Sequence, residues 1–483
     1  MNIHRVKLIR KNLLLIVFIC LTFNVLSQST FNLTLGTDQD ESYPLIEICD
    51  DSYLLLYNIL PLNGSSINHK VSVDLINSEG EVSNIHFFKN DTIDFMIGNI
   101  IKREQAFYCH GLQKHVDSSF YRHWIFKIDE NLSIVWQKTY ESPFNDFFYE
   151  TSMAFQEDNL IVSSSNFINN TAATQFLKFD LEGDLIHQKI YDSSSWEIIY
   201  DILIKPDPES ETFYAFGSGF NGTADERLSL DSNFNIVDEN NTGVILEHDA
   251  EWVNDTAYVL CGSDYKNDTM YITVKVMDTN MVVHEELLFK HNSSKDQHVG
   301  VFNGLSFIDN EHFYLGGSTH VNSTYMPSPT YIMLNKLNTT LHKEWQKYYG
   351  GDARYVLYSM RATLDGGCIM TGTRYDWNIQ NNERDIFIMK INENGVFTSV
   401  DEGDFQVAEA IIYPNPGTDK LYIQSAFPVK EFQMNDINGR MVLKQHINSV
   451  TYGVDVSQLN SGIYLYQIIG IDGKIQRGKW IKR

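Results

Sequence analysis

The 483-residue chain carries 37 Lys and Arg against 62 Asp and Glu, and its composition is 43% hydrophobic and 13% aromatic. This apolar content is enough for a large core and excludes a wholly disordered chain. The acidic residues are concentrated in residues 28–407, which hold 24 basic and 56 acidic residues, a net charge of −32. A body this acidic repels phosphate backbones, so nucleic acid is excluded as a partner.

The N-terminus has the pattern of a secretory signal peptide. Four basic residues precede an apolar run over residues 13–26, and Ser27 and Gln28 flank the predicted cleavage point. The run of about 14 residues is shorter than the roughly 20 that span a bilayer. We therefore predict a signal peptide over residues 1–27, export, and no transmembrane segment once the signal is removed.

The next 370 or so residues (about 28–400) repeat a two-part pattern. The first part is a polar turn followed by an apolar strand, and it recurs seven times at intervals of 44 to 56 residues. Its anchor positions are Tyr53, Phe107, Leu160, Phe213, Ala257, Phe313 and Cys368. The second part, a strand–turn–strand such as residues 125–140, follows each copy of the first, ending with residues 388–397.

Each repeat supplies about four strands, which is the content of one propeller blade. The sequence therefore predicts an all-β chain whose residues 28–400 form a β-propeller, with seven blades of about 50 residues favoured and six or eight left open. Predicted blade starts lie near residues 44, 92, 145, 197, 245, 300 and 355. The segments DENLSIVWQKTY and YYGGDARYVLYSMRATLDGGCIMTGT resemble propeller repeats of secreted Bacteroidetes-type proteins.

The sequence offers little catalytic or metal chemistry. His110, His115 and His123 are the nearest approach to a metal-ligand cluster, but solvated loop histidines are commoner. The acidic run at residues 38–41 lacks the Gly and distal Glu of a calcium loop. We therefore assign no catalytic residue, metal or cofactor, and leave calcium open. The four cysteines of the mature chain lie in strand-like runs and favour buried free thiols: Cys49, Cys109, Cys261 and Cys368.

The propeller repeat predicts a binding face. In a blade with strands A to D, the B–C and D–A loops leave the same side, and the segment between the two parts of the repeat is the B–C loop. This loop is long and aromatic in blades 2, 6 and 7. Rings next to amides and carboxylates suit sugars or peptides. The candidate ligand-binding residues are Tyr121, Tyr325, Tyr331, Tyr375 and Trp377. The alternative is that these rings pack beneath their own loops.

The composition changes after an acidic linker at residues 401–410. Residues 411–483 predict a small antiparallel β-sandwich, with Pro414 and Pro416 at the start of its first strand and a tight turn at Asn438-Gly439.

These 73 residues resemble a known family, the type A C-terminal sorting domain of the type IX secretion system. The resemblance is carried by three motifs and the chain end: Tyr413, Pro414, Asn415 and Pro416; the turn at Asn438 and Gly439; Gly462 and Tyr464; and Lys479, Lys482 and Arg483. It implies recognition by the type IX machinery and a sortase. The product would be secreted or attached to the outer surface of a Gram-negative bacterium.

Three functions fit these expectations. The favoured one is a non-catalytic binding module for a glycan or a surface protein. The alternatives are a propeller hydrolase or lyase acting on polysaccharide, and a structural component of the surface layer. Sequence alone does not identify the two catalytic carboxylates of a hydrolase, because such a pair is defined by the distance between the groups and by their environment.

Overall fold

Strands are the regular secondary structure of the computed structural model, which describes residues 29–483. Its gaps are residues 63–67, 144–150, 169–170, 193–197, 205–211, 219–225, 243–245, 267–268, 290–295, 322–328, 378–382, 398–409, 438 and 472–474. The described residues form seven sheets of four or five antiparallel strands in a ring, followed by one C-terminal sheet.

Blades 1 to 6 each run from strand A to strand D in chain order. Blade 1 contains Asp40–Cys49 (β2), Ser52–Leu60 (β3), Lys70–Ile76 (β4) and Val82–Phe88 (β5). Blade 2 contains Ile93–Arg103 (β6), Ala106–His115 (β7), Arg122–Ile128 (β8) and Ile134–Glu141 (β9). Blade 3 contains Thr151–Gln156 (β10), Asn159–Ile168 (β11), Thr171–Asp180 (β12) and Leu185–Asp192 (β13).

Blade 4 contains Ile198–Ile204 (β14), Phe213–Ser218 (β15), Glu226–Leu230 (β16) and Ile236–Asn241 (β17). Blade 5 contains Leu246–Asn254 (β18), Ala257–Lys266 (β19), Thr269–Asp278 (β20) and Val283–Phe289 (β21). In blade 6, strand A is split into Asp296–Val299 (β22) and Leu305–Phe307 (β23), followed by His312–Val321 (β24), Tyr331–Asn338 (β25) and Lys343–Gly350 (β26).

Blade 7 joins the two ends of the propeller. Its strands A to C are Arg354–Ala362 (β27), Cys368–Tyr375 (β28) and Asp385–Ile391 (β29). Strand D is the N-terminal Phe31–Leu35 (β1), which pairs antiparallel with β29. The sequence pattern predicted instead that residues 388–397 would supply both outer strands of this blade. That expectation was wrong, since no strand follows the turn at residues 392–395 before the undescribed segment and β1 takes the place.

Two ion pairs support this closure. Arg384 donates from Nε to Asp40 Oδ1 at 2.8 Å, and its guanidinium makes a second bond to Oδ2. Arg361 Nε lies 3.0 Å from Glu47 Oε2. Both pairs link blade 7 to strand A of blade 1, so the closure is held by side chains as well as by the pairing of β1 with β29.

One turn geometry is repeated in every C–D hairpin. An Asp or Asn side chain accepts the backbone N–H of the residue four positions ahead, as Asp129 does from Ser133 at 2.8 Å. The residue three positions ahead has positive φ, such as Leu132 at 60° and Gly183 at 82°. This side-chain capping explains why the repeat has Asn or Asp at the turn, and why Gly occupies some of the positive-φ positions.

Side chains of strand D in one blade bond to the C–D turn of the next blade. Tyr140 donates its hydroxyl to the carbonyl of Gly183 at 2.7 Å, and Lys138 lies 2.6 Å from Asp184. The Trp136 ring covers Gly183 so closely that a Cβ there would lie 2.6 Å from it. We call this arrangement the clasp. Equivalent tyrosines are Tyr191, which bonds Phe234 O, and Tyr349, which bonds Gly395 O.

The C-terminal domain is a five-stranded antiparallel sheet that is nearly closed. Its strands are Ala410–Tyr413 (β30), Lys420–Asp436 (β31), Met441–Asp455 (β32), Gly462–Gly470 (β33) and Ile475–Lys482 (β34). The order is β30-β31-β33-β34, with β32 also paired to β31. A bridge between Gly417 and Lys482 brings the segment before β31 against β34. Pro414 and Pro416 follow β30 instead of starting it, because the chain must turn there toward β31.

Candidate functional site

The strand ends that lead into the B–C and D–A connections lie on one side of the ring. At blade 7 this side carries Tyr375, the last residue of β28, and Trp377, two residues further along the B–C loop. Both side chains are partly exposed. Of the predicted ligand-binding residues, these two lie close together in the chain, and both are accessible to solvent.

Arg374 anchors this loop through an ion-pair network. One of its terminal nitrogens lies 2.9 Å from Asp352 and 3.2 Å from Asp376, and its Nε donates to the Tyr355 hydroxyl at 3.0 Å. Burial acts to lower the pKa of Arg374, but the bond to Asp352 and its charge outweigh burial and raise that pKa. The guanidinium therefore stays charged and is paired with Asp376, the residue between Tyr375 and Trp377 in the chain.

Arg384 holds the other end of the same loop. Besides the two bonds to Asp40, its guanidinium lies 5.9 Å from the centroid of the Tyr43 ring. Burial alone would lower the pKa of Arg384, but Asp40 outweighs it and raises that pKa above its usual range. Blade 7 and blade 1 thus meet at a rim where both arginines are paired and only partly exposed.

Two carboxyl groups lie at the junction of blades 7 and 1. Burial raises the pKa of Glu41 to about 7, against an opposing bond from Thr37. The Glu41 side chain is 1% exposed, and its Oε2 has no hydrogen-bond partner among the described residues. Burial, followed by the charge of Glu383 and Asp376 and opposed by Arg374, raises the pKa of Asp385. A carboxyl with a pKa near 7 can exchange a proton at neutral pH, but this one is closed to solvent.

The other predicted ligand residues have different environments. Tyr121 is buried, with Lys114 Nζ 4.9 Å from the centroid of its ring. Tyr331 begins β25, is buried, and directs its hydroxyl to the carbonyl of Ile412 in the C-terminal domain at 3.5 Å. Tyr325 lies outside the described residues. Sequence reasoning missed the charged residues at the rim, because their pairing depends on the fold: Arg374 pairs with Asp352, 22 positions earlier, and Arg384 pairs with Asp40 across the ring closure.

The three histidines weighed as metal ligands do not converge. His110 and His123 are buried between blades 2 and 3, with His110 Nε2 3.1 Å from His123 Nδ1. His123 Nε2 lies 2.9 Å from Gln175 Oε1, so His123 donates to Gln175 and accepts from His110. His115 is half exposed and lies 3.7 Å from Asp117. The described ranges contain no group of three or more His, Cys, Asp or Glu able to hold a metal ion.

The acidic run and the cysteines have structural surroundings. Asp40 is paired with Arg384, and Glu41 Oε1 accepts a bond from Thr37, so both residues serve the closure between blades 7 and 1. The four cysteines are present as thiols, three of them buried and Cys49 partly so.

The predicted motifs of the C-terminal domain meet in space. Asn415 donates from Nδ2 to the carbonyl of Lys479 at 2.8 Å and accepts from the N–H of Ile481 at 2.9 Å. Trp480 Nε1 donates to the carbonyl of Pro414 at 2.8 Å. Buried Lys482 donates to the carbonyl of Thr418. The segment from Tyr413 to Pro416 is thereby fixed to the last strand of the chain.

Residues 411–483 match the family model described as the secretion system C-terminal sorting domain. The C-terminal domain is a sorting domain of the type IX secretion system. Among its motif residues, Gly439, Gly462, Lys479 and Arg483 are exposed, while Tyr413, Tyr464 and Lys482 are buried. Gly439 has a φ of 81° in the hairpin that Asp436 caps. Asn438 lies outside the described residues, as do Ser27, Gln28 and the predicted signal peptide.

The propeller is similar to several solved structures at low identity. PorZ, a surface component of the type IX secretion system of Porphyromonas gingivalis, is 10% identical, with 93% of this chain and 82% of that chain covered and a TM-score of 0.25. The WD40 domain of SCAP from fission yeast is 6% identical, with 75% and 98% covered and a TM-score of 0.38.

The Dos1 propeller is 12% identical, with 82% of this chain and 92% of that chain covered and a TM-score of 0.37. No curated protein matches the chain. The described part of the chain has no helix with the length and hydropathy of a membrane span. With its ring of seven sheets and the matched residues 411–483, the protein is a β-propeller carrying a type IX sorting domain, which implies export to the cell surface or the medium.

Proposed function

We propose that the exported propeller is a non-catalytic binding module that holds a glycan or a surface protein at the rim of blades 7 and 1. We call this surface the closure rim, defined by Tyr375, Trp377, Arg374, Asp376 and Arg384. The observation that carries the proposal is a pair of partly exposed aromatic residues, Tyr375 and Trp377, which flank in the chain a carboxylate, Asp376, that is paired with Arg374. Rings that stack and polar groups that orient are what sugar and peptide ligands require.

The charge of the rim favours neutral or cationic ligands. Its two arginines are already paired with Asp352, Asp376 and Asp40, so they offer little charge to an incoming anion. The body of the chain is strongly acidic and repels polyanions at a distance. Neutral polysaccharide or a basic peptide segment is therefore the ligand class that we propose.

The hydrolase alternative has one supporting observation, the raised pKa of Glu41. A general acid must come within hydrogen-bond distance of its substrate. Glu41 is 1% exposed beneath the rim, which keeps its carboxyl from a bound polysaccharide. We therefore favour binding without turnover.

The test is binding of the purified protein to a panel of neutral and charged polysaccharides, with the mass of each polysaccharide measured afterwards. Trp377→Ala and Tyr375→Ala are expected to weaken binding to the retained ligand by roughly fivefold each, because a stacked ring contributes about 1 kcal/mol. Tyr452→Ala removes a partly exposed ring from the sorting domain and is expected to leave binding unchanged.

If the rim variants bound the ligand with the same affinity as the parent protein, the closure rim would not be the binding site. A shortened polysaccharide would favour the hydrolase alternative, and Glu41→Gln would then show whether that carboxyl acts as the acid. Binding to none of the polysaccharides would point to a protein partner, which a basic-peptide array tests with the same variants.

The location of the product is part of the same proposal. We propose that the protein remains attached to the outer surface of a Gram-negative cell, where a multivalent surface would make weak binding effective. Antibody detection on intact cells, compared with the culture medium, measures the division between the two. Recovery of the protein from the medium alone would contradict surface attachment.

A further inference from the structure

The first strand of the sorting domain is buried on both faces. In β30, Ala410 and Ile412 belong to the core of the sorting domain. Ile411 and Tyr413 alternate with them and belong to a buried cluster of the propeller, built from blades 5 and 6. Because side chains alternate across a strand, one face of β30 completes its own domain and the other completes the propeller.

Two buried polar contacts fix the position of the sorting domain. Gln424 in β31 donates from Nε2 to the hydroxyl of Tyr348 in β26 at 3.0 Å. Tyr331 directs its hydroxyl to the carbonyl of Ile412 at 3.5 Å. Both tyrosines are buried in this arrangement. Directional bonds between buried groups select one orientation, which apolar contact alone does not.

The seam covered by this domain differs from the seams that have the clasp. Pairing in the C–D hairpin aligns Glu285, Leu287 and Phe289 of β21 with Trp136, Lys138 and Tyr140 of β9. The side chains of Leu287 and Phe289 have no polar group that could form a hydrogen bond or an ion pair with the C–D turn of blade 6. Phe289 is instead buried in the same cluster as Ile411 and Tyr413, with Leu287 packed against it. An apolar seam at the outside of the ring needs cover from water.

We propose that the sorting domain is docked on the propeller as the cap of the seam between blades 5 and 6, so that cutting the linker does not by itself release it. Departure of the domain would expose an apolar surface that includes Tyr348, Tyr331 and Phe289. This role is additional to export and does not depend on the ligand of the closure rim. It makes the sorting domain a stabilising part of the propeller for as long as it stays bound.

The test uses the full chain with a specific protease site placed within residues 401–408. After cleavage at micromolar concentration, the two pieces are expected to co-elute in size-exclusion chromatography. Ile411→Asp buries a charge on the face of β30 that meets the propeller, and is expected to raise the dissociation constant of the cut pieces by on the order of tenfold or more. Ile437→Asp is the matched control, because Ile437 is 71% exposed in the sorting domain.

Gln424→Ala is a second, milder variant. It removes the bond to Tyr348 without adding a charge, so it covers the case in which Ile411→Asp unfolds the sorting domain. Loss of co-elution in this variant, with the circular dichroism of each piece unchanged, would support docking. Separation of the unmodified pieces on cleavage, or equal retention of Ile411→Asp, Gln424→Ala and Ile437→Asp, would overturn the proposal.

Discussion

Glu41 is a carboxyl whose burial makes it costly to ionise. Its pKa is raised from 4.5 to about 7, so the folded state holds a proton that the unfolded state releases. Its contribution to stability is therefore fully present below about pH 4.5 and is lost as the pH rises through 7. Glu41→Gln keeps an oxygen that can accept the Thr37 bond and removes the ionisation.

We expect Glu41→Gln to match the parent protein at pH 4.5 and to melt at a higher temperature at pH 8. Thermal melts at pH 4.5, 6 and 8 measure the difference. Glu130→Gln, at an exposed turn position, is the control and should show no such trend. A Glu41→Gln protein that is less stable at pH 8 would show that the ionised carboxyl has a favourable partner.

The stability that the buried histidine pair contributes depends on pH in the opposite direction from that of Glu41. Burial lowers the pKa of His123 to about 4 and, together with the charge of His123, lowers that of His110 well below 6.5. Protonation would place a second donor on His123 Nδ1 against the donor of His110. Stability from this pair is fully present above about pH 6.5 and is lost as the pH falls toward 4.

His123→Gln is expected to retain more of its neutral-pH stability at pH 4.5 than the parent protein does. Urea midpoints at pH 7.5 and 4.5 give the comparison. His115→Gln replaces a half-exposed histidine of the same blade and should leave the pH dependence as it is. If the two variants lost the same fraction of stability on acidification, the buried pair would not be its source.

At the scale of strands, the clasp explains the most regular part of the repeat. The motif WQKTY of β9 recurs as HQKIY in β13 and WQKYY in β26, and each final tyrosine bonds to a carbonyl in the next hairpin. The spacing is the same because each C–D hairpin has the same bulge in its register. The motif thus specifies the fit between neighbouring blades.

Tyr140→Phe removes one hydrogen bond of the clasp and keeps the aromatic side chain otherwise unchanged. A net loss of about 0.5–1.5 kcal/mol is expected, as for a typical intramolecular hydrogen bond. Urea unfolding followed by fluorescence measures it, with Tyr422→Phe at a partly exposed position of the sorting domain as the control. An unchanged midpoint in Tyr140→Phe would show that water replaces the Gly183 contact at no cost.

The ring as a whole depends on its N-terminal strand. Phe31 of β1 is buried and lies against Gly80 in the first hairpin, the position that Trp136 occupies over Gly183. Phe31→Ala is expected to cost about 3–5 kcal/mol and to open the closure between blades 7 and 1 before the other blades.

Hydrogen exchange read by mass spectrometry tests this order of opening. Peptides covering β1 and β29 should exchange faster in Phe31→Ala, while peptides covering β7 and β8 keep their protection. Phe87→Ala, on the exposed face of β5, is the matched control. Equal acceleration in every blade would mean that the ring opens only by global unfolding.

Much of this architecture could be predicted from sequence. Strand A begins at residues 40, 93, 151, 198, 246, 296 and 354, within about six residues of each predicted blade start. The all-β class, the propeller and the C-terminal sorting domain are confirmed. Alternation of apolar residues and capped turns act within a few residues of each other, so a linear pattern records them.

The candidate site was less accessible to sequence reasoning. The grouping of Tyr375 with Trp377 could be predicted, because both lie in one loop. The bond between Arg384 and Asp40 could not, since it joins residues 344 positions apart. Tyr331 looked like a rim aromatic, yet it packs beneath the sorting domain because the two domains meet at blade 6.

The sequence by itself determined the kinds of elements, a repeat that favoured seven blades, and the C-terminal sorting domain, because periodicity, turn capping and short motifs are local properties of the chain. Only the tertiary structure decided that β1 completes blade 7, that Arg361 and Arg384 are paired across the closure, and that β30 is shared between two cores. Those contacts form only when a ring of several hundred residues closes. The positions of the partners in the chain do not indicate that they will meet.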